Sequence, residues 1–115
     1  MKVLRTLRMP LDLSRLMRSP VGNFICTLKG PARDEAVDLL GKMYTAVVRV
    51  GFNITDSSLI NLLGSRPIKG LPGVFEMKGR HVRIYFRHRG RSLEVLMGGP
   101  KATQEKDIAR LRRMI

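Results

Sequence analysis

The chain has 115 residues, 43% of them hydrophobic, with 22 Lys+Arg against 9 Asp+Glu and a formal net charge of +13. That length suits one domain able to bury a core, and the hydrophobic content excludes a disordered chain despite the charge. Cys26 is the single cysteine, which excludes a disulfide framework or a cysteine-based zinc site and fits a reducing, cytoplasmic setting.

In chain order, Met1 to Arg8 alternates charged and apolar types, which does not read as a signal peptide, and Lys2 to Met9 reads as a short strand. Leu11 to Leu16 either extends it or begins a helical turn. Ser19-Pro20 is a helix start, a cap residue before a proline in the first turn, so a first helix is expected over Pro20 to Leu28, ended by Gly30. Pro31 opens a second, with Asp34 and Glu35 in the first turn where the helix dipole favours negative charge. Ala36, Leu40, Met43, Val47 and Val50 form one apolar stripe opposite Asp38, Lys42, Thr45 and Arg49, and Gly51 stops it. Two helices on so tight a link imply a helical hairpin.

Phe52 to Leu71 is punctuated by turn residues around a short helical turn at Leu59 to Leu63. From Leu71 the period becomes two: Val74 to Lys78, Val82 to Arg87 and Leu93 to Met97 read as strands, joined at Gly79-Arg80 and Arg89-Gly90 and ended by Gly98-Gly99-Pro100. A final helix over Thr103 to Met114 puts Ile108, Leu111 and Ile115 on one side. The fold class is α+β: an antiparallel sheet with its helices on one face, no apolar run reaching the ~18 residues a bilayer span needs, and residues 1–115 as one domain.

So large a positive excess costs folding free energy through self-repulsion, and it points to a polyanionic partner: nucleic acid, a ribosome or an acidic protein. Strand alternation turns Val82, Ile84 and Phe86 toward the helices and Arg83, Tyr85 and Arg87 the other way. Phe75 and Met77 likewise face the core, which leaves Glu76 and Lys78 with the arginines on an open sheet face. Lys78 to Arg91 also carries Arg80, His81, His88 and Arg89 and has no acidic residue. Arginine forks and a tyrosine suit phosphate binding and base stacking; a merely solvated sheet face is the bland alternative. His81 and His88 are exposed turn residues or proton carriers near neutral pH. Cys26 reads as buried packing. No nucleophile–base pair or metal-ligand spacing appears, and Gly98-Gly99-Pro100-Lys101 lacks the Gly-Lys-Ser/Thr ending of a nucleotide-hydrolysing loop.

Three segments in order carry a family resemblance: Leu71-Pro72-Gly73-Val74-Phe75-Glu76-Met77-Lys78; Val82-Arg83-Ile84-Tyr85-Phe86; and Leu96-Met97-Gly98-Gly99-Pro100-Lys101-Ala102-Thr103-Gln104-Glu105-Lys106-Asp107-Ile108. They resemble the RelE/ParE toxin superfamily, and more narrowly its HigB-like, phage-derived addiction-module killer proteins. The motifs span Leu71 to Ile108, the element order extends the likeness over most of the chain, and residues 1–18 are the least similar.

The resemblance implies a RelE-like fold, a twisted antiparallel sheet with an N-terminal helical hairpin and a C-terminal helix. It implies the toxin of a type II toxin–antitoxin pair. In the RelE-like branch the activity is ribosome-dependent mRNA cleavage, which inhibits translation; in the ParE-like branch the target is DNA gyrase and no RNA is cut. A non-catalytic RNA- or ribosome-binding protein is a third reading. The nuclease uses the RNA's own 2′-hydroxyl, so no metal or cofactor is implied, and the protein supplies proton transfer and charge for the phosphorane.

By this resemblance Arg83 would stabilise transition-state charge, Lys78 would stand at the catalytic lysine and Lys101 at the basic residue after the last strand. RNA binding would fall to Arg87, Tyr85, Arg80, His81, His88, Arg89 and Arg91. Glu76 stands where RelE itself has a lysine, though glutamate is usual in the phage-derived branch. The last helix has no tyrosine or histidine to match the RelE-type residue there, so the acid and base stay open. The implied partners are a cognate antitoxin with an acidic covering segment and a helix-turn-helix domain, operator DNA through that antitoxin, and the ribosome with its mRNA. The nuclease reading rests on guanidiniums free on the sheet; guanidiniums scattered to separate edges or tied to internal carboxylates would overturn it.

Overall fold

The computed structural model describes residues 7–8, 20–50, 55–89 and 92–114. The expected strand is therefore seen only as β1 (Leu7–Arg8), and the rest of Lys2 to Met9, Gly51, Gly90, Arg91 and Ile115 lie outside the described residues. Helix α1 (Pro20–Thr27) and helix α2 (Pro31–Val50) follow. Gly30 joins them at φ 58°, a left-handed conformation cheap only for glycine, and its carbonyl accepts the N–H groups of Arg33 and Asp34 that open α2. Ala36, Leu39, Leu40, Met43 and Ala46 are buried, whereas Asp38, Lys42, Thr45 and Arg49 are exposed. Ala36, Leu40 and Met43 of the apolar stripe thus lie where the period put them, and the side chains of Val47 and Val50 lie outside those described.

In the punctuated segment the helical turn expected at Leu59 to Leu63 is a longer helix, α3 (Asp56–Leu63), and an unexpected short strand, β2 (Arg66–Pro67), follows it. Leu63 packs into the α2 side of the core. β2 is too short for alternation to show in sequence; its pairing with β3 (Val74–Lys78) defines it. β4 (Val82–Arg89) and β5 (Ser92–Pro100) complete a five-stranded antiparallel sheet of order β1-β5-β4-β3-β2. A 3-10 turn (Lys101–Thr103) leads into α4 (Gln104–Met114). The chain is therefore α+β, with the three meander strands at the expected positions.

Two features depart from the sequence reading. β5 does not stop before Gly98 but pairs as far as Pro100, and a register shift at Tyr85/Phe86 sets Leu96 and Met97 together on one face. The helices do not share one face either. Phe75, Met77, Val82, Ile84, Phe86, Leu93 and Val95 pack with α1 and α2. On the opposite face Leu71, Val74, Tyr85, Leu96 and Met97 close a second core against Leu111 and Ile108 of α4. The expected open face is thus covered along its middle, because α4 has an apolar side of its own to bury.

Gly98 and Gly99 serve this two-sided packing. A Cβ at Gly98 would lie 2.8 Å from Cδ2 of Phe24 in α1, and one at Gly99 would lie 2.0 Å from Oδ2 of Asp107 in α4. Consecutive residues of a strand point to opposite faces, so this pair lets a helix approach on each side. Cys26 is exposed rather than packed inside. Among the described residues no helix is long and apolar enough to cross a membrane.

Candidate nucleic-acid interface

Register puts Glu76, Lys78, Arg83, Tyr85 and Arg87 on the α4 side of the sheet, as alternation requires, but they do not form an open basic surface. Arg83 is 2% exposed. Its Nη1 donates to the carbonyls of Gly79 and Val82, and its Nε lies 3.9 Å from Oε1 of Glu76 without a hydrogen-bond partner. Glu76 is buried too, and its Oε2 accepts 2.6 Å from Nε2 of Gln104, the first residue of α4. Tyr85 is wholly buried with its hydroxyl unpartnered, so it offers no stacking face. Burial, then the charges of Glu76 and Asp107, push that hydroxyl well above its ordinary value against the opposing pull of Arg83.

Arg87 is tied in the same way. Its Nε and Nη2 each lie 3.2 Å from Oε2 of Glu94, a buried carboxylate on β5. Arg83 and Arg87 are therefore held by internal carboxylates, the arrangement that opposes RNA binding by a row of free guanidiniums. The sequence reading missed these pairs because Glu76 and Glu94 lie on the flanking strands, outside the acid-free run. Arg87, His88 and Arg89 also stand toward the far end of an eight-residue strand from Val82, about 17 to 23 Å from it. Arg91 lies outside the described residues.

The sheet end at the β3–β4 turn is different. Lys78, Arg80, His81 and Lys101 are all exposed there. Lys78 stands opposite Arg83, and Val82 opposite Pro100, so the turn and the start of the β5–α4 link are neighbours. The N–H of Lys101 donates 2.9 Å to the carbonyl of His81 and fastens them together. The link is braced from behind by Gln104 on Glu76 and by the Thr103 hydroxyl, which donates 2.8 Å to Oδ2 of Asp107.

Glu35 of α2 reaches the same turn. Its Oε1 accepts from the N–H of His81 at 2.7 Å and of Val82 at 3.0 Å. Burial acts to raise this carboxyl, but the N–H groups of His81, Val82 and Arg80 and the nearby His81 side chain outweigh it, so its pKa is lowered. Sequence accounts for Glu35 only as a helix-dipole residue, and nothing in the local pattern marks a partner 46 positions away. Gly79 is a faint trace of it, a glycine where the carboxylate passes close to the backbone.

Three cations and a histidine, drawn from two segments and gathered at one end of the sheet, can hold a phosphate-bearing strand. Among the described residues no three His, Cys, Asp or Glu side chains converge to hold a metal ion. No family model matches the chain, and no curated protein or solved structure matches it significantly.

Proposed function

We propose that this chain is the toxin of a type II toxin–antitoxin pair, a RelE-like protein that cuts mRNA on the ribosome. The observation that carries the reading is the exposed grouping of Lys78, Arg80, His81 and Lys101, locked by the Lys101-to-His81 backbone bond. The resemblance supports it in one further way: its three motifs fall on β3, on β4, and on β5 with its link to α4. The free sheet-face guanidiniums on which the sequence rested this reading are not there, since Arg83 is buried and Arg87 is paired with Glu94, so the exposed cations at the turn alone carry the proposal. In this reading Arg83 is the strut beneath the site, tying the β3–β4 turn to Glu76.

RNA brings its own nucleophile. The 2′-oxygen attacks the adjacent phosphorus, the bond to the 5′-oxygen breaks, one proton leaves the 2′-hydroxyl and another reaches the departing oxygen. Lys78, Lys101 and Arg80 supply positive charge for the dianionic phosphorane. His81 is the side chain in this group whose type exchanges protons near neutral pH. With so sparse a set of acids and bases, the ribosome would orient the message, and naked RNA would be cut far more slowly. The antitoxin would cover this basic end with an acidic segment. It would carry the helix-turn-helix that brings the pair to operator DNA, and the cytoplasm would be the place of action.

Mapping transcript 5′ ends after induction tests the reading. New ends in phase with codons are expected, and they should be largely lost in Lys78→Ala/Lys101→Ala protein. Intact transcripts with blocked DNA supercoiling would establish the ParE-like activity instead. Intact transcripts with salt-sensitive RNA binding would establish a non-catalytic binder.

A further inference from the structure

We infer that Glu35 is a positioning residue, a carboxylate that α2 sends across to the β3–β4 turn to set the basic edge in its binding shape. The inference rests on the functional reading above and names a residue outside its motifs. His81 is held by its backbone from two sides: its N–H by Glu35 at 2.7 Å and its carbonyl by the N–H of Lys101 at 2.9 Å. Glu35 therefore fixes, through the one residue His81, the turn bearing Arg80 and His81 and the seat of Lys101. Gly79 leaves the room for this; a Cβ there would lie 2.0 Å from Oε1 and 2.6 Å from Cδ of Glu35.

Charge and position make opposite predictions for Glu35. A carboxylate beside phosphate-binding cations lowers their potential, so on charge alone its neutralisation tightens RNA binding. If its Oε1 sets the turn by accepting both N–H groups, loss of that acceptor loosens the turn and weakens binding, whereas an amide oxygen in its place keeps both bonds.

Four variants separate the two: Glu35→Ala, Glu35→Gln, Gly79→Ala, and Asp34→Asn as a control. Asp34 is the exposed carboxylate next to Glu35. Glu35→Gln removes the charge but keeps an Oε1 that can accept both N–H groups, and Gly79→Ala keeps every charge but displaces the Glu35 carboxylate. The readouts are affinity for a single-stranded RNA oligonucleotide at fixed ionic strength and hydrogen exchange at the His81 and Val82 amides. Glu35→Ala and Gly79→Ala should each weaken binding by about fivefold or more and speed exchange at both amides by about tenfold. Glu35→Gln and Asp34→Asn should bind as wild type or slightly more tightly and leave both amides protected. Glu35→Ala protein that binds like Asp34→Asn and keeps its amide protection overturns the inference. Wild-type protein without affinity for the RNA overturns the functional reading instead, and loss of amide protection in Glu35→Ala would then still uphold the clamp on the turn.

Discussion

Arg83 shows how one residue changes meaning between sequence and structure. On the strand it is a cation beside a tyrosine in an acid-free run; in the fold it is a buried charge spanning a turn and a carboxylate. Removing one partner of a buried pair leaves the other desolvated and alone, at a cost of about 3–5 kcal/mol. Arg83→Ala should therefore lower the urea midpoint strongly, and its loss of any activity would report unfolding. Lys78→Ala and Lys101→Ala, at exposed positions, should each shift stability by no more than about 0.5 kcal/mol, which makes them the informative substitutions. Glu35 carries a pH prediction. Its pKa is lower folded than unfolded, so the stability it contributes is complete above its unfolded value of about 4.3 and fades as pH falls through the lower native value. Urea midpoints taken between about pH 3 and pH 6 should fall less steeply on acidification in Glu35→Gln than in wild type.

Elements were legible in proportion to their length and the clarity of their period. α2 shows its buried stripe from Ala36 to Ala46 and β4 alternates from Val82 to Arg87, enough repeats for the pattern to dominate. β2, of 2 residues, exists through its partner. The register shift in β5 is also a pairing property, and it moves Met97 to the face opposite the one strict alternation from Val95 assigns. Gly98 reads as a strand terminator, yet it is a packing residue: Gly98→Ala must displace the Phe24 ring at 2.8 Å and should cost about 1–3 kcal/mol. Gly41, within α2 with open space around its Cβ position, should behave oppositely, with Gly41→Ala adding about 0.5–1 kcal/mol. Thermal denaturation of the two variants checks both signs.

For the whole molecule, the net charge of +13 is read from composition, and the sheet decides where that charge can act. Two arginines are paired inside it with Glu76 and Glu94, while three cations, Lys78, Arg80 and Lys101, are left exposed with His81 at one end of the sheet. If those three carry binding, affinity for single-stranded RNA should fall with log salt at a slope of roughly −2, and Lys78→Ala/Lys101→Ala should flatten it by about 1.4. An unchanged slope in the double variant would place the contact surface elsewhere. The sequence by itself determined the α+β class, the three meander strands, the α2 stripe from Ala36 to Met43 and the side-chain directions along β3 and β4 as far as Arg87, because these follow from local periods of 3.6 and 2. Only the tertiary structure decided that α4 covers the second face, that Glu76 and Glu94 capture the guanidiniums, and that Glu35 and Lys101 meet at His81. Those contacts join residues far apart in the chain, and no local pattern encodes which distant partner a charge will meet once burial forces it to find one.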